Sequence, residues 1–171
     1  MTASPTQKHS AANAAQSSQQ LQLVSFTVGD ELFAVDILRV QEINRMMALT
    51  KVPQSPEGVE GIINLRGRII PVLDLRVQFG FESSTSDENT RIVVVEVKGN
   101  TIGFIVDSVH EVMRIDQSIV EPAPHFGTSI DSSYVAGVAK LEQDLLILLN
   151  LENLLTSESL SKLSKMHERA A

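Results

Sequence analysis

The chain of 171 residues carries 14 Lys and Arg against 21 Asp and Glu, a formal charge of −7, which argues against nucleic acid or an anionic membrane as a partner. It contains no cysteine, so disulfides, thiolate metal sites and cysteine nucleophiles are excluded. No stretch approaches the roughly 18 apolar residues of a membrane span, and the first residues lack the apolar core of a signal peptide. We therefore expect a soluble cytoplasmic protein.

The first part of the chain predicts a polar tail followed by a β-hairpin. Residues 1–20 lack the large apolar groups that could offset ordering entropy, so they are predicted to be a disordered tail. Apolar and polar residues then alternate over residues 21–28, and residues 31–36 return after the turn at Gly29 and Asp30. The run 37–43 follows, with Ile37, Val40 and Ile43 on a short helical or irregular stripe.

A second hairpin is predicted from residues 61–65 and 68–73, which turn at Arg66 and Gly67. Pro71 favours a position at a sheet edge or a bulge for the return strand, because proline has no N–H to donate. Asp74 suits the N-cap of a short helix that runs through Phe79.

The second half of the chain repeats this order. Residues 92–97 and 102–113 predict one hairpin, and residues 134–141 and 145–149 predict another. Asn150 stands where Asp74 stood, ahead of a short apolar helix. Residues 156–171 continue as an amphipathic C-terminal helix, with apolar residues at three-residue spacing.

The repeat can be measured along the sequence. Residues 61–65 align with 137–141, and 69–75 with 145–151, at one offset of 76 (137 minus 61). Upstream, residues 40–43 align with 109–112 at an offset of 69 (109 minus 40). Two small all-β units, roughly 21–85 and 86–155, would each bury too little alone and should pack together. The alternative is a chance likeness between β-rich segments.

The residues that could support catalysis or metal binding do not form a recognisable set. The sequence contains neither a phosphate-binding loop motif nor a dinucleotide-binding motif. Asp107, His110 and Glu111 have a spacing that suggests a metal site, but His110 and Glu111 point to opposite faces of a strand, so a solvated polar edge is favoured. Ser108 lies beside His110 without a nucleophile elbow. We expect no enzyme and no metal.

The turn formed by residues 64–67, with the sequence N-L-R-G, is the most informative local feature. Gly67 suits a hairpin position that requires a positive φ. Arg66 has no such reason to be there. Its guanidinium either stays solvated, which the residues alone favour, or reaches a carboxylate such as Glu42.

Three stretches, residues 36–43, 61–75 and 103–107, closely resemble the CheW family of bacterial chemotaxis coupling proteins. The resemblance runs from about Leu21 to Leu155, and the N-L-R-G turn followed by I-x-P-V-x-D-L is specific. It implies one domain, residues 21–155, of two intertwined five-stranded SH3-like β-barrels around a shared apolar seam, with no catalysis and no cofactor. It also implies an adaptor at membrane-anchored receptor arrays, which bridges the cytoplasmic tip of methyl-accepting chemoreceptors to the regulatory domain of the CheA histidine kinase.

The resemblance and the repeat together suggest two binding surfaces. An apolar groove for a receptor helix is expected between the units, with core packing as the alternative for each apolar member: Ile37, Val40, Ile43, Val106, Val109 and Val112. By the resemblance, Glu42 and Arg66 should form a polar pair beside it. The kinase contact is expected at Gly61, Asn64, Gly67, Gly137 and Leu141, although Gly61 and Gly67 could serve backbone geometry alone.

Two other functions stay open from the sequence. One is a CheW-like scaffold in a signalling array for pilus-based motility or another behaviour. The other is a small-molecule-binding β-barrel, which would need a pocket with convergent polar groups.

Overall fold

The computed structural model describes residues 19–54, 59–81, 86–122 and 132–154. Most of the expected disordered tail and all of the expected C-terminal helix, residues 156–171, lie outside these ranges. Gln20, which was assigned to the tail, already belongs to the first strand.

The described residues form two β-sheets with short helical segments between the strands, which confirms the all-β prediction. The strands are β1 (Gln20–Val28), β2 (Glu31–Asp36), β3 (Val40–Arg45), β4 (Val59–Leu65), β5 (Arg68–Asp74), β6 (Arg91–Val97), β7 (Asn100–Val106), β8 (Ser108–Asp116), β9 (Val120–Glu121), β10 (Val135–Lys140) and β11 (Leu145–Leu149). Two one-turn α-helices, α1 (Leu75–Gln78) and α2 (Leu151–Leu154), follow β5 and β11. The 3₁₀ turns are Ile37–Arg39, Gln117–Ile119 and Ser132–Tyr134. Within the described ranges, no helix is both long enough and apolar enough to cross a membrane.

The two halves of the chain exchange their first hairpins. The first sheet has the order β8-β1-β2-β11-β10-β9, and the second has the order β3-β6-β7-β5-β4. Hairpin β6–β7 therefore lies between strands of the first half, and hairpin β1–β2 lies between strands of the second half. The sheets do not follow the expected division at residues 85 and 86, because the chain passes between them at the 3₁₀ turn 37–39 and at Asp107.

The pairing registers repeat at both offsets found in the sequence. The register between β4 and β5 shifts between Val59 and Gly61, and that between β10 and β11 shifts at the equivalent place, between Val135 and Gly137. In the other ladder, Ile43 pairs with Val93. The equivalents of these two residues, Val112 and Val24, also pair with each other. The repeat is therefore one of tertiary structure and not a chance likeness.

Apolar side chains fill three clusters. The largest, which we call the seam, lies between the sheets and takes alternate residues from both, such as Val24 and Phe26 from β1 and Val93 from β6. The intervening residues face the inside of each barrel, where Leu23 belongs to the first interior cluster and Ile92 to the second. Each sheet thus buries residues on both faces, which confirms two barrels packed around a shared seam. The first sheet has six strands and not the expected five, because the two-residue strand β9 adds to its edge.

Three local predictions need correction. Pro71 lies in β5, an interior strand, at the point where pairing to β7 begins with Val72. Proline is tolerated there because the parallel ladder starts one residue later. Residues 102–113 are not one strand, since Asp107 separates β7 from β8. The run 37–43 is a 3₁₀ turn followed by strand β3, so Ile43 is not helical.

Candidate interaction surface

The turn between β4 and β5 has the predicted position and a backbone that explains its glycine. Arg66 and Gly67 have φ values of 54° and 84°, as a two-residue type I′ hairpin turn requires. The Gly67 N–H donates to the Asn64 side-chain oxygen at 2.9 Å. Asn64 and Gly67 therefore hold the turn, and Arg66 occupies a left-handed position that a side chain seldom adopts.

Arg66 is paired and not simply solvated. Its Nη1 lies 3.1 Å from Oε2 of Glu42, with Arg66 82% exposed and Glu42 23% exposed at their side chains. The other carboxylate oxygen of Glu42 accepts a hydrogen bond from the Asn44 amide at 2.6 Å. The pair expected from the resemblance is present, and it ties edge strand β3 to the turn.

The apolar residues expected in the groove have different environments. Ile43 and Val112 are 39% and 56% exposed, at equivalent places on the edge strands β3 and β8. Ile37, Val40 and Val109 are half-buried against the seam. Val106 is fully buried, because it lies at the end of interior strand β7 and faces the seam. The prediction that Val106 lines a groove is therefore wrong.

Leu38 is an exposed apolar residue that the sequence reasoning missed. It is 89% exposed in the 3₁₀ turn that connects the two sheets. Its N–H donates to the Asp36 side chain at 2.9 Å, so the turn that presents it is capped. The sequence carried a signal for this exposure, since Asp36 is a capping residue ahead of the adjacent apolar pair Ile37 and Leu38. Adjacent residues of a helical turn point in different directions, so a single turn cannot bury both side chains.

The residues expected at the kinase contact all have structural tasks. A Cβ on Gly61 would lie 2.8 Å from the Thr50 carbonyl oxygen, and one on Gly137 would lie 2.5 Å from Val120 Cγ1. Both glycines thus permit a close approach by a neighbouring segment. Leu141 is half-buried against the interior of the first sheet's barrel. A binding role for these residues, with Asn64 and Gly67, remains a prediction.

Asp107 is not part of a solvated polar edge, as the sequence suggested. Its Oδ2 accepts from the Gly29 N–H at 2.7 Å, and its Oδ1 lies 3.3 Å from Nη1 of Arg76. Arg76 is buried and also pairs with Asp74 at 2.9 Å. The hydrogen bonds that Arg76 donates to Asp74 raise the pKa of the Arg76 guanidinium further above its ordinary range. Asp107 therefore fastens the crossover between the sheets.

His110 and Glu111 do not join Asp107 in a metal site. The His110 ring bonds the Thr27 hydroxyl, and the Glu111 carbonyl accepts from the Ser25 hydroxyl at 3.1 Å. No group of three or more potential metal ligands occurs within the described ranges.

These features define a small double-barrel interaction module, with exposed apolar residues on two edge strands and a turn held by an ion pair. The comparisons with known proteins agree with that class. Residues 22–159 match the family model described as CheW-like domain. The chain belongs to the CheW-like family.

Several chemotaxis proteins are similar to this chain over most of its length. It is 37% identical to the chemotaxis protein CheW of Klebsiella aerogenes, over 80% of this chain and 82% of the relative. It is 32% identical to the chemotaxis protein CheW of Treponema pallidum, over 95% and 98%. The crystal structure of the scaffolding protein TtCheW from Thermoanaerobacter tengcongensis matches with a TM-score of 0.75 and 41% identity, over 81% and 90%. Membership of this family indicates a non-catalytic chemotaxis adaptor or scaffold whose partners belong to signalling arrays.

Proposed function

We propose that this protein couples methyl-accepting chemoreceptors to the CheA histidine kinase on the cytoplasmic side of a membrane-anchored array. Membership of the CheW-like family supports the adaptor role. The observation that carries the finer proposal is the Glu42–Arg66 ion pair. It joins an edge strand to the N-L-R-G turn, the segment in which the resemblance to the family is most specific.

On the receptor side, the partner is a helical hairpin. A helix presents apolar residues at i, i+3, i+4 and i+7 to a groove. Ile43 and Val112 offer exposed apolar area for such contacts, and Ile37, Val40 and Val109 are half-buried against the seam. The ion pair contributes at most about 1 kcal/mol to folding because it is exposed. Its role is to keep strand β3 and the turn in register for the receptor.

On the kinase side, we expect packing between hairpin ends of two related β-barrels. Gly67 is open to such contacts, since a Cβ built there would meet no atom within 4 Å. Gly61, Asn64, Gly137 and Leu141 shape the strands behind the two turns. The kinase would then bind through backbone and small residues, which favours a close approach.

A charge swap tests the receptor side. Glu42→Arg and Arg66→Glu should each weaken binding of a receptor signalling fragment and kinase activation about tenfold, with thermal midpoints nearly unchanged. The double swap should recover part of both activities. Lys98→Glu is the matched control, because Lys98 has a φ of 50° and precedes Gly99 in a similar turn.

The outcomes separate the alternatives. Single variants that unfold would make the pair structural, and single variants that bind receptor normally would place the receptor site elsewhere. Failure of the wild type to bind either protein, together with tight metabolite binding, would favour a small-molecule barrel. The cavity beside the pair has a volume of about 50 Å³, below the roughly 300 Å³ at which ligand sites begin. A second cavity, beside Asp36, Leu38 and Arg114, has about 290 Å³, so it is the place to look for a bound metabolite.

A further inference from the structure

The two halves of the molecule form equivalent corners that differ in their polar residues. The first corner is strand β3 with the β4–β5 turn, and the second corner is strand β8 with the β10–β11 turn. The offsets of 69 and 76 place Glu111, Met113 and Glu142 of the second corner where the first corner has Glu42, Asn44 and Arg66. A carboxylate is present in both corners, but at these aligned positions only the first corner has an amide donor and a cation with it.

Asn44 makes the contact that distinguishes the first corner most directly. It lies two residues after Glu42 on β3, so both side chains emerge on one side of the strand. Its Nδ2 donates to Oε1 of Glu42 at 2.6 Å, while Oε2 of the same carboxylate lies 3.1 Å from Arg66 Nη1. The two oxygens of Glu42 are thus divided between an amide and a guanidinium.

We propose that Asn44 is a positioning residue for the receptor-binding surface, an inference that rests on the proposed function. The terminal torsion of a glutamate is broad, and a free carboxylate samples many orientations. A hydrogen bond from Asn44 to one oxygen selects the orientation in which the other oxygen faces Arg66. Because Arg66 is highly exposed, this anchored carboxylate is what orders its long side chain ahead of binding.

The chemistry of position 44 follows from this role. The residue must donate a hydrogen bond and carry no negative charge, which an amide does. Leucine has a similar volume and no donor, and aspartate would place a second carboxylate beside Glu42. Glutamine keeps the amide on a longer side chain. Affinity for the receptor should therefore decrease in the order Asn, Gln, Leu, Asp.

The experiment measures binding of a receptor signalling fragment to the full chain carrying each variant. Asn44→Leu should bind about threefold to tenfold more weakly, as expected for loss of one hydrogen bond of ordinary strength, and Asn44→Gln should recover most of the affinity. Thermal midpoints should stay close to that of the wild type. Gln41→Leu is the control on the same strand, since the Gln41 amide reaches Glu96 and not the ion pair.

Two further measurements distinguish positioning from a general structural role. In an Arg66→Ala background, Asn44→Leu should have no further effect on affinity, because there is no guanidinium left to order. Nitrogen relaxation of the Arg66 Nε–H should show faster motion in Asn44→Leu than in the wild type.

Equal affinity of Asn44→Leu and the wild type would overturn the proposal, and so would an additive effect in the Arg66→Ala background. If the wild type itself does not bind the fragment, the proposed function fails. In that case the relaxation measurement alone decides whether Asn44 orders Arg66, and unchanged motion would overturn it.

Discussion

The first and second corners share one backbone plan and differ in how their turns are built. The first turn places Arg66 and Gly67 at positive φ, whereas neither Glu142 nor Gln143 is among the described residues with positive φ. The Leu141 N–H still donates to the Asp144 carbonyl at 2.8 Å, so the second hairpin closes at the equivalent place. Two equivalent hairpins thus end in turns of different backbone conformation and opposite charge.

The residues that repeat between the two halves and the residues that do not repeat have different tasks. The apolar positions that repeat between the halves build the seam and the barrel interiors, and they keep the same pairing registers. The amide and the cation of the first corner do not repeat, so the shared fold does not require them. Residues that break the symmetry of a repeated structure are therefore the first candidates for partner recognition. Substitutions of the repeated residues should therefore destabilise the fold more than substitutions of the residues that do not repeat.

The largest effect is expected from a charge inside either barrel. Val72 and Leu148 occupy equivalent buried positions in the two interior clusters. Val72→Asp and Leu148→Asp should each cost about 4 kcal/mol, because neither site offers the carboxylate a partner. Since the barrels share the seam, circular dichroism should show one cooperative loss of all strands. A separate transition for each barrel would contradict the shared core.

The next largest loss of stability is expected at one of two ion pairs, each of which links a sheet crossover to a short helix. Arg76 and Glu152 are equivalent second residues of α1 and α2, and they pair with Asp107 and Arg39. The Arg76 pair is mostly buried and the Arg39 pair is about half exposed. Asp107→Asn should destabilise the fold by about 2 kcal/mol, since it weakens the bond to Arg76 while Asp74 still compensates that charge, and Arg39→Gln by less than about 1 kcal/mol. Urea denaturation measures both, and similar values would show that burial does not separate them.

The equivalent glycines Gly61 and Gly137 should respond differently to alanine. A new Cβ at Gly61 would lie 2.8 Å from the Thr50 carbonyl oxygen, while at Gly137 it would lie 2.5 Å from Val120 Cγ1 and 3.1 Å from the Glu121 carbonyl oxygen. Val120 and Glu121 form a two-residue strand at the edge of the first sheet, which can shift as a unit. Gly61→Ala should therefore cost about 2 kcal/mol and Gly137→Ala about 1 kcal/mol. Thermal unfolding of the two variants gives the comparison. A larger cost at Gly137 would reverse the argument.

The smallest effect concerns Glu31, which begins β2 where the equivalent hairpin has Asn100. Burial, and to a lesser degree Asp30, raises the pKa of Glu31 above 4.5, and its Oε2 is buried without a hydrogen-bond partner. The protonated form therefore stabilises the fold below pH 4.5, and this contribution is lost as pH rises through the raised pKa.

Glu31→Gln removes the charge and should be about 1 kcal/mol more stable than the wild type at pH 7. The difference should shrink as the pH falls below 4.5, where the wild type is neutral too. Thermal midpoints at pH 7 and pH 4 measure it, with Asp30→Asn as the control for the neighbouring charge. A variant that is less stable at pH 7 would mean that the ionised carboxylate has a partner.

The amino-acid sequence alone determined most of the strands, the tight turns and the repeat, but not strand β3 or the break between β7 and β8. These features depend on local chemistry, because alternating apolar residues predict a half-buried strand and glycine supplies the positive φ of a tight turn. Gly67 was predicted from that rule, and both offsets of the repeat reappear in the pairing registers. The resemblance to the CheW family, which the comparisons confirm, also rested on contiguous motifs.

Only the tertiary structure decided which strands are neighbours and which side chains meet. The pattern of a strand says which face is apolar and not which strand lies beside it. It therefore left open whether Val106 lines a groove or packs in the core, and it could not say which hairpins are exchanged. Which polar side chains pair with each other also depends on long-range packing. The residues alone favoured a solvated Arg66 and a solvated edge at Asp107, yet both side chains have partners distant in sequence. The bond from Asn44 to Glu42 likewise appears only in the folded edge strand. A guanidinium or carboxylate can meet many partners, and the fold selects one by bringing it within bonding distance.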